Sequence, residues 1–164
     1  MSHFPEIPDD VLQYMVGQDQ EYDGKDLPWN HRTRKRIARA KGVILHVFAG
    51  GPESAKEWQK GWPPGIELLS VDVTHDPRQD LHRPATWGYL CSLAKSGRLC
   101  GIIGSPPCRT VSRLRNLRPG PPPLRNRLNK RYGLDGLAFE DRTKVQGDSA
   151  LLLKQLGLHI MACE

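Results

Sequence analysis

The stretch Val43–Phe48, VILHVF, followed by the turn Ala49–Pro52, AGGP, decides the fold of this chain. A short, mostly apolar run that is rich in β-branched residues predicts a strand buried on both faces, as in a parallel sheet. The glycines and the proline end this strand in a tight turn, and glycine lets a backbone approach a ligand closely. We therefore expect a buried parallel strand followed directly by a tight turn.

Strand and helix patterns alternate along the rest of the chain. A second strand ends in the carboxylate of Asp72, which lies 22 residues after Gly50, and a further short extended segment precedes Asp80. This alternation predicts an α/β fold with a doubly wound, mostly parallel sheet. The other predicted elements are strands at 67–72 and 100–104 and helices at 54–60, 87–95 and 149–155, the last with Asp148 as its N-cap.

Composition divides the chain into two regions. With 164 residues and 38% hydrophobic content, the chain can bury one core, and we expect one α/β domain over residues 43–164. Residues 1–42 are interpreted as an acidic leader followed by a basic arm, because the first 30 residues are acidic and a basic run extends from Arg32 to Lys41. The basic run is compatible with a solvated helix face, a phosphate-contacting arm or a localisation signal.

Composition also excludes several classes of protein. No apolar run approaches the roughly 20 residues that span a bilayer, and the N-terminus lacks the pattern of a signal peptide. We therefore expect an intracellular protein without a membrane partner. The four cysteines include no CxxC pair, so we expect reduced thiols and no metal site.

A double proline presents a cysteine after the third predicted strand. Pro106 and Pro107 lack the N–H groups that a sheet needs, so strand pairing stops there and Cys108 projects beyond the carboxyl end of the strand. Open α/β sheets bind their ligands at that end. Nearby arginines favour the nucleophilic thiolate form of a cysteine, whereas the alternative is a small buried core residue.

The segment 109–133 is basic and rich in proline. Between Arg109 and Arg131 it carries eight lysines and arginines and no acidic residue. Such a segment is too rich in proline for a helix and too charged for a core, which predicts a long functional loop with phosphate, and hence nucleic acid, as its partner. The candidate phosphate-binding residues are Arg109, Arg113, Arg115, Arg118, Arg125 and Arg127.

In their order and spacing, these motifs resemble the first four motifs of the DNA (cytosine-5) methyltransferases. Phe48-Ala49-Gly50 follows the first strand, Asp72 ends the second, Asp80-Leu81 follows a further segment, and Ser105–Cys108, SPPC, follows the next strand. The resemblance covers residues 43 to about 112. It implies the Rossmann-like fold of the S-adenosylmethionine-dependent methyltransferases, in incomplete form.

The resemblance also implies a role for each motif. Cys108 would attack carbon six of a cytosine flipped out of its helix, so that the neighbouring ring carbon can accept a methyl group. S-adenosylmethionine would be the methyl donor, DNA rather than RNA the expected partner, and the nucleus the location in a eukaryote. Amino-methyltransferases carry a tyrosine where this chain has Cys108. The implied cofactor-binding residues are Phe48, Gly50, Gly51, Asp72, Asp80 and Pro106.

The chain also departs from the family pattern. Pro52 replaces a glycine of the first motif, His46 replaces an acidic residue, and Arg109 replaces a glutamine. The later glutamate that assists at the cytosine ring has no counterpart, so we expect the front half of such an enzyme, as a fragment or a degenerate relative of doubtful activity. Two alternatives are a catalytically inactive nucleic-acid-binding module on the same fold and a cysteine hydrolase that uses His46, His75 or His82.

Overall fold

The structure is a computed structural model, and it describes residues 8–9, 25–51, 53, 57–58, 60–117, 119–126 and 130–163. The described chain forms two compact units. Of the described residues, the sheet unit comprises those within 25–106 and 154–163, and the loop unit comprises residues 8–9 and those within 107–153.

Three parallel strands form the sheet of the sheet unit. They are β1 (Gly42–Val47), β2 (Ile66–Val71) and β3 (Leu99–Gly104), in the spatial order β2-β1-β3. The predicted α/β class with a parallel sheet is therefore confirmed. Because the chain moves from β1 to one neighbour and then to the other side, the order of the strands reverses at β1, and such a point commonly marks the ligand site of open α/β sheets.

The central position of β1 explains its apolar sequence. All six of its residues are buried, and Val43, Leu45 and Val47 have no exposed surface. At the carboxyl end of the sheet, Val47 lies beside Val71 of β2 and Gly104 of β3. The ends of the three strands therefore form one edge, from which the segments after them continue.

The basic run before β1 forms helix α1 (His31–Arg39). The helix begins where the side chain of Asn30 accepts a hydrogen bond of 2.9 Å from the N–H of Thr33. Ile37 is its one buried residue, and Arg36 forms an ion pair of 2.9 Å with Glu67 of β2. Of the three interpretations of this run, a largely solvated helix face agrees with this structure.

The segment between β2 and β3 contains a 3₁₀ helix (Pro77–Gln79) and helix α2 (Pro84–Lys95). The prediction of an extended segment before Asp80 is wrong, because Pro77 fixes a helical φ and the carboxylate of Asp76 accepts from the N–H of Arg78 at 2.8 Å. The predicted helix at 87–95 is confirmed and begins earlier, at a proline. Its buried side chains include Trp87, as expected.

Helix α3 (Phe139–Cys163) is longer than predicted. A start at Ser149 with Asp148 as the N-cap is wrong. The acidic residues Glu140 and Asp141 lie in the true first turn, where they complement the helix dipole, and Asp148 lies inside the helix with a buried carboxylate. Residues 53, 57 and 58 are helical, and the remainder of the helix predicted at 54–60, apart from Lys60, lies outside the described residues.

Candidate functional site

The turn after β1 has an unusual backbone. Phe48 has a φ of 55° and Gly50 a φ of 72°, both in the left-handed region. For a bulky residue such as Phe48 this conformation costs about 1–3 kcal/mol and is characteristic of functional sites. Gly50 tolerates it, and a Cβ atom built on Gly50 or Gly51 would meet no atom of the described residues within 4 Å. The strained turn therefore borders space that no described residue fills, at the carboxyl edge of the sheet.

Asp72, directly after β2, faces this turn. Its Oδ2 accepts a hydrogen bond of 2.9 Å from the N–H of Gly50, and its Oδ1 accepts one of 2.8 Å from the N–H of Thr74. The hydroxyl of Thr74 lies 2.7 Å from Oδ1 and 3.0 Å from the carbonyl oxygen of Gly50. The structure thus brings Gly50 and Asp72 together, as the motif order predicts, and Thr74 is a third member that the sequence reasoning missed.

These hydrogen bonds control the charge of Asp72. Partial burial raises the pKa of its carboxyl group, but the donors of Thr74 and Gly50 outweigh this effect and hold the pKa below its ordinary value. The carboxylate is therefore ionised at neutral pH. A carboxylate has about four acceptor positions, so the three donors that contact Asp72 leave room for a hydroxyl donor of a ligand.

A histidine pair lies close to the same carboxylate. His46 of β1 is buried, and its ring packs against Trp58 with 5.1 Å between the ring centroids. Burial lowers the pKa of His46, against the opposing charge of Asp72 and with a smaller contribution from His75. Among the described residues, neither Nδ1 of His46 nor Nε2 of His75 has a hydrogen-bond partner. The edge therefore holds two buried polar atoms that a ligand could satisfy.

Asp80 lies on the adjacent segment, which is tied to Asp72 through Gln79. The side-chain oxygen of Gln79 accepts a hydrogen bond of 2.9 Å from the N–H of Asp72, and Oδ1 of Asp80 accepts one of 2.9 Å from the N–H of His82. Behind this segment, the buried Nζ of Lys154 donates to the carbonyl oxygen of Leu81 at 2.8 Å.

The ammonium group of Lys154, which donates to this segment, is strongly desolvated. Its Nζ also lies 4.9 Å from the centroid of the Trp87 ring, a cation–π contact. Burial lowers the pKa of Lys154 to about 8, against the opposing charges of Cys91 and Asp80. No sequence pattern predicted this residue, because a lysine on a long helix is ordinarily solvated.

Glycine is required where β3 ends. A Cβ atom on Gly104 would lie 2.8 Å from the carbonyl oxygen of Val47 and 2.9 Å from the side-chain nitrogen of Gln155. Pro106 and Pro107 follow in half-buried positions, and the side chain of Cys108 is exposed. Cys108 therefore has the accessibility of a nucleophile and not the burial of a core residue.

In the loop unit, a turn follows Cys108. The carbonyl oxygen of Cys108 accepts hydrogen bonds from the N–H groups of Val111 at 3.0 Å and Ser112 at 2.7 Å. Next to it, Nε of Arg109 lies 3.1 and 3.2 Å from the two carboxylate oxygens of Asp148, and Nη2 lies 2.9 Å from Oδ1. The hydroxyl of the buried Thr110 donates to the same carboxylate at 2.9 Å. The carboxylate of Asp148 in α3 thus holds Arg109 and Thr110, the two residues after Cys108, in place.

Arg125 extends this network. Its Nη2 donates to the hydroxyl of Thr110 and to the carbonyl oxygen of Val145, both at 2.8 Å. Its Nη1 donates to the hydroxyl of Ser149 and to the carbonyl oxygen of Arg131, both at 2.9 Å. Arg125 therefore joins the basic loop to α3 in the interior of the unit.

The candidate phosphate-binding arginines consequently differ in what they contact. Arg109 and Arg125 are engaged as described, and Arg115 donates to the carbonyl oxygens of Pro122 at 3.0 Å and Arg109 at 3.1 Å. Arg113 is exposed, and the structure gives its guanidinium no partner among the described residues. Arg118 and Arg127 lie outside the described residues.

Comparison with known proteins finds no matching family, no similar curated protein and no similar solved structure. The described part of the chain contains no group of three or more histidine, cysteine, aspartate or glutamate side chains arranged to hold a metal ion. None of the helices in this described part is long and apolar enough to cross a membrane.

Proposed function

We propose that this chain carries the cofactor-binding and nucleophile segments of a DNA (cytosine-5) methyltransferase-like domain of Rossmann-like fold. The observation that carries the proposal is the strained turn at Phe48, held at the carboxyl end of β1 by the contact between Gly50 and the ionised Asp72. Strain of this kind is retained where surrounding structure and function require it.

The residues at this edge fit S-adenosylmethionine. Asp72 retains acceptor capacity for a ribose hydroxyl. No described residue fills the space beside Gly50 and Gly51, and Nδ1 of His46, which has no partner among the described residues, offers a further polar contact. Asp80 and Phe48 are the remaining candidates on the neighbouring segments, with Pro106 after β3. When bound, the cofactor supplies the methyl group.

Cys108 would then act on the base. Its exposed sulfur adds to carbon six of an unpaired cytosine, which makes carbon five nucleophilic enough to take the methyl group. Loss of the proton from carbon five and departure of the cysteine complete the exchange. We propose a nucleic acid as the partner, DNA in preference to RNA, because the segment 109–133 is basic.

The cofactor site is tested by the substitution Asp72→Ala. We expect it to weaken S-adenosylmethionine binding tenfold to about a hundredfold in calorimetry, the value of one hydrogen bond to a charged group. Asp135→Ala removes a surface carboxylate that pairs with Lys130 and serves as the matched control. Unchanged affinity in Asp72→Ala would remove the assigned cofactor site.

The nucleophile is tested with DNA that contains 5-fluorocytosine. Fluorine replaces the proton that must leave carbon five, so a covalent adduct between Cys108 and the DNA persists in the presence of the cofactor. We expect an adduct with the native chain and with Cys100→Ser, which changes another exposed cysteine, and none with Cys108→Ser.

The inactive nucleic-acid-binding module is a second candidate, favoured by the engagement of Arg109. This guanidinium, the closest cation along the chain to Cys108, is bound by the carboxylate of Asp148. Under this alternative, salt-dependent DNA binding survives Cys108→Ser and no adduct forms on 5-fluorocytosine. The same trapping experiment therefore separates the two functions.

A further inference from the structure

A groove lies within the loop unit. It has a volume of about 1100 Å³ and is lined by residues 110–113, 115–117, 123–126 and 131. Four arginines line it, Arg113, Arg115, Arg125 and Arg131, and its lining contains no acidic residue. A groove with this charge selects an anionic ligand.

Hydrogen bonds within the loop unit hold the walls of the groove in place. Arg125 binds Thr110, Val145 and Ser149, and Arg115 binds the carbonyl oxygen of Pro122. These contacts join the parts of the lining to each other and to α3, so little ordering is needed when a ligand enters. The exposed guanidinium of Arg113 is the one we assign to the anion.

Apolar side chains lie beside these cations. Val111 is 47% exposed and Leu117 is 63% exposed, and both line the groove. Aliphatic side chains next to arginines match a ligand that carries an apolar ring face and an anionic group close together, as a nucleotide does, because the ring face can bury their apolar surface. In a duplex the bases are stacked on one another and cannot make this contact, whereas unpaired bases can.

The size of the groove is sufficient for a ligand larger than a single phosphate ion. Sites for drug-sized ligands usually have volumes of about 300 to 1000 Å³. The groove in the loop unit exceeds that range, which suits a short strand and exceeds the needs of a single phosphate ion.

We propose that this groove binds a short unpaired segment of nucleic acid, with Arg113 on a phosphate and with Val111 and Leu117 against a base. The proposal rests on the proposed function and deepens it, because it names unpaired strand, not duplex, as the form that the loop unit recognises. Phosphate recognition is thereby assigned to Arg113, because the guanidinium groups of Arg109 and Arg125 are bound by other residues of the loop unit.

The test is fluorescence anisotropy with the full chain and three labelled probes of equal length: oligothymidylate, an abasic strand and a duplex. We expect oligothymidylate to bind most tightly. Arg113→Ala weakens both single strands and lowers the salt dependence by about 0.7 in the slope of log K against log salt. Leu117→Ala weakens oligothymidylate about tenfold, because less apolar surface is buried against the base, and leaves the abasic strand unchanged. Arg142→Ala, an exposed arginine on α3 outside the groove, is the matched control.

The proposal is overturned if the native chain binds the duplex more tightly than oligothymidylate. It is also overturned if Leu117→Ala binds every probe with the same affinity as the native chain. Thermal unfolding of each variant verifies that these exposed substitutions leave the fold intact. The trapping experiment keeps the two proposals apart. An adduct at Cys108 together with normal affinity in Arg113→Ala and Leu117→Ala refutes the groove alone, and base-dependent binding without an adduct refutes the methyltransferase function alone.

Discussion

The ion pair between Arg109 and Asp148 predicts an asymmetry between two substitutions. The carboxylate of Asp148 has no exposed surface, whereas 64% of the Arg109 side chain is exposed. Removal of Arg109 therefore leaves a buried charge, and neutralisation of Asp148 leaves a cation that water can solvate. We expect Arg109→Ala to destabilise the protein more than Asp148→Asn, although both break the same pair.

The magnitudes follow from the contacts. After Arg109→Ala, the hydroxyl of Thr110 is the one remaining donor to Asp148 in the described network, and stranding a buried charge costs about 3 kcal/mol, the lower limit for a broken buried pair. After Asp148→Asn, the amide oxygen can still accept from Thr110 or Arg109, so the loss is that of charge assistance, about 1 kcal/mol. The expected difference between the two substitutions is about 2 kcal/mol.

Urea unfolding followed by circular dichroism at neutral pH measures both values. The slopes of the free energy against urea should match those of the native chain, so that the shift in midpoint reports stability alone. The double substitution Arg109→Ala with Asp148→Asn should cost less than the sum of the single ones, because it removes the stranded charge. Equal costs for the single substitutions, or a larger cost for Asp148→Asn, would refute this reasoning.

Two further predictions concern the sheet unit. Gly104→Ala should destabilise the protein by about 1–3 kcal/mol in thermal unfolding, because the new methyl group would overlap the carbonyl oxygen of Val47, and an unchanged melting temperature would contradict the close approach of β1 and β3. Lys154→Met should remove a pH dependence: the native chain gains about 1 kcal/mol relative to this variant between pH 8 and pH 9 in urea unfolding. The sign is positive because the unfolded lysine, with its ordinary pKa of 10.5, retains a proton that the folded one, with a pKa of about 8, releases. Burial raises the pKa of Cys91 to about 11, but Cys91 is present in both proteins and its contribution cancels in the difference between them. A flat difference between pH 8 and pH 9 would contradict the buried charge of Lys154.

The sequence predicted the sheet well, because its signals are local. Each strand is a short apolar run that is followed by glycine, proline or aspartate. This pattern can be recognised in the run itself, without knowledge of the strands that pair with it. The placement of Gly50 and Asp72 at one edge follows from the same signals, since both follow adjacent parallel strands, but their direct hydrogen bond was not predicted. The contact with Thr74 had a local signal, because an aspartate side chain commonly accepts from the backbone N–H two residues on.

The loop unit was less predictable because its contacts join distant parts of the chain. Asp148 has the residue type of an N-cap, and only its pairing with Arg109, 39 residues away, explains why it lies inside a helix. Likewise, the basic segment looked like a solvated phosphate-binding loop, whereas Arg125 is committed to α3 through Val145 and Ser149. No periodicity in the sequence reports such long-range partners.

Three features of the sheet unit cost stability, and their positions bear on the choice between the two proposed functions. Phe48 has a strained backbone, His46 buries a nitrogen that has no partner among the described residues, and Lys154 buries a charge against the carbonyl oxygen of Leu81. Violations of local rules usually accumulate at functional sites. All three lie in or against the segments assigned to the cofactor, those that carry Phe48 and Asp80. A module that only bound nucleic acid through its basic loop would have no use for these costs, so their placement favours a cofactor site over an inactive scaffold.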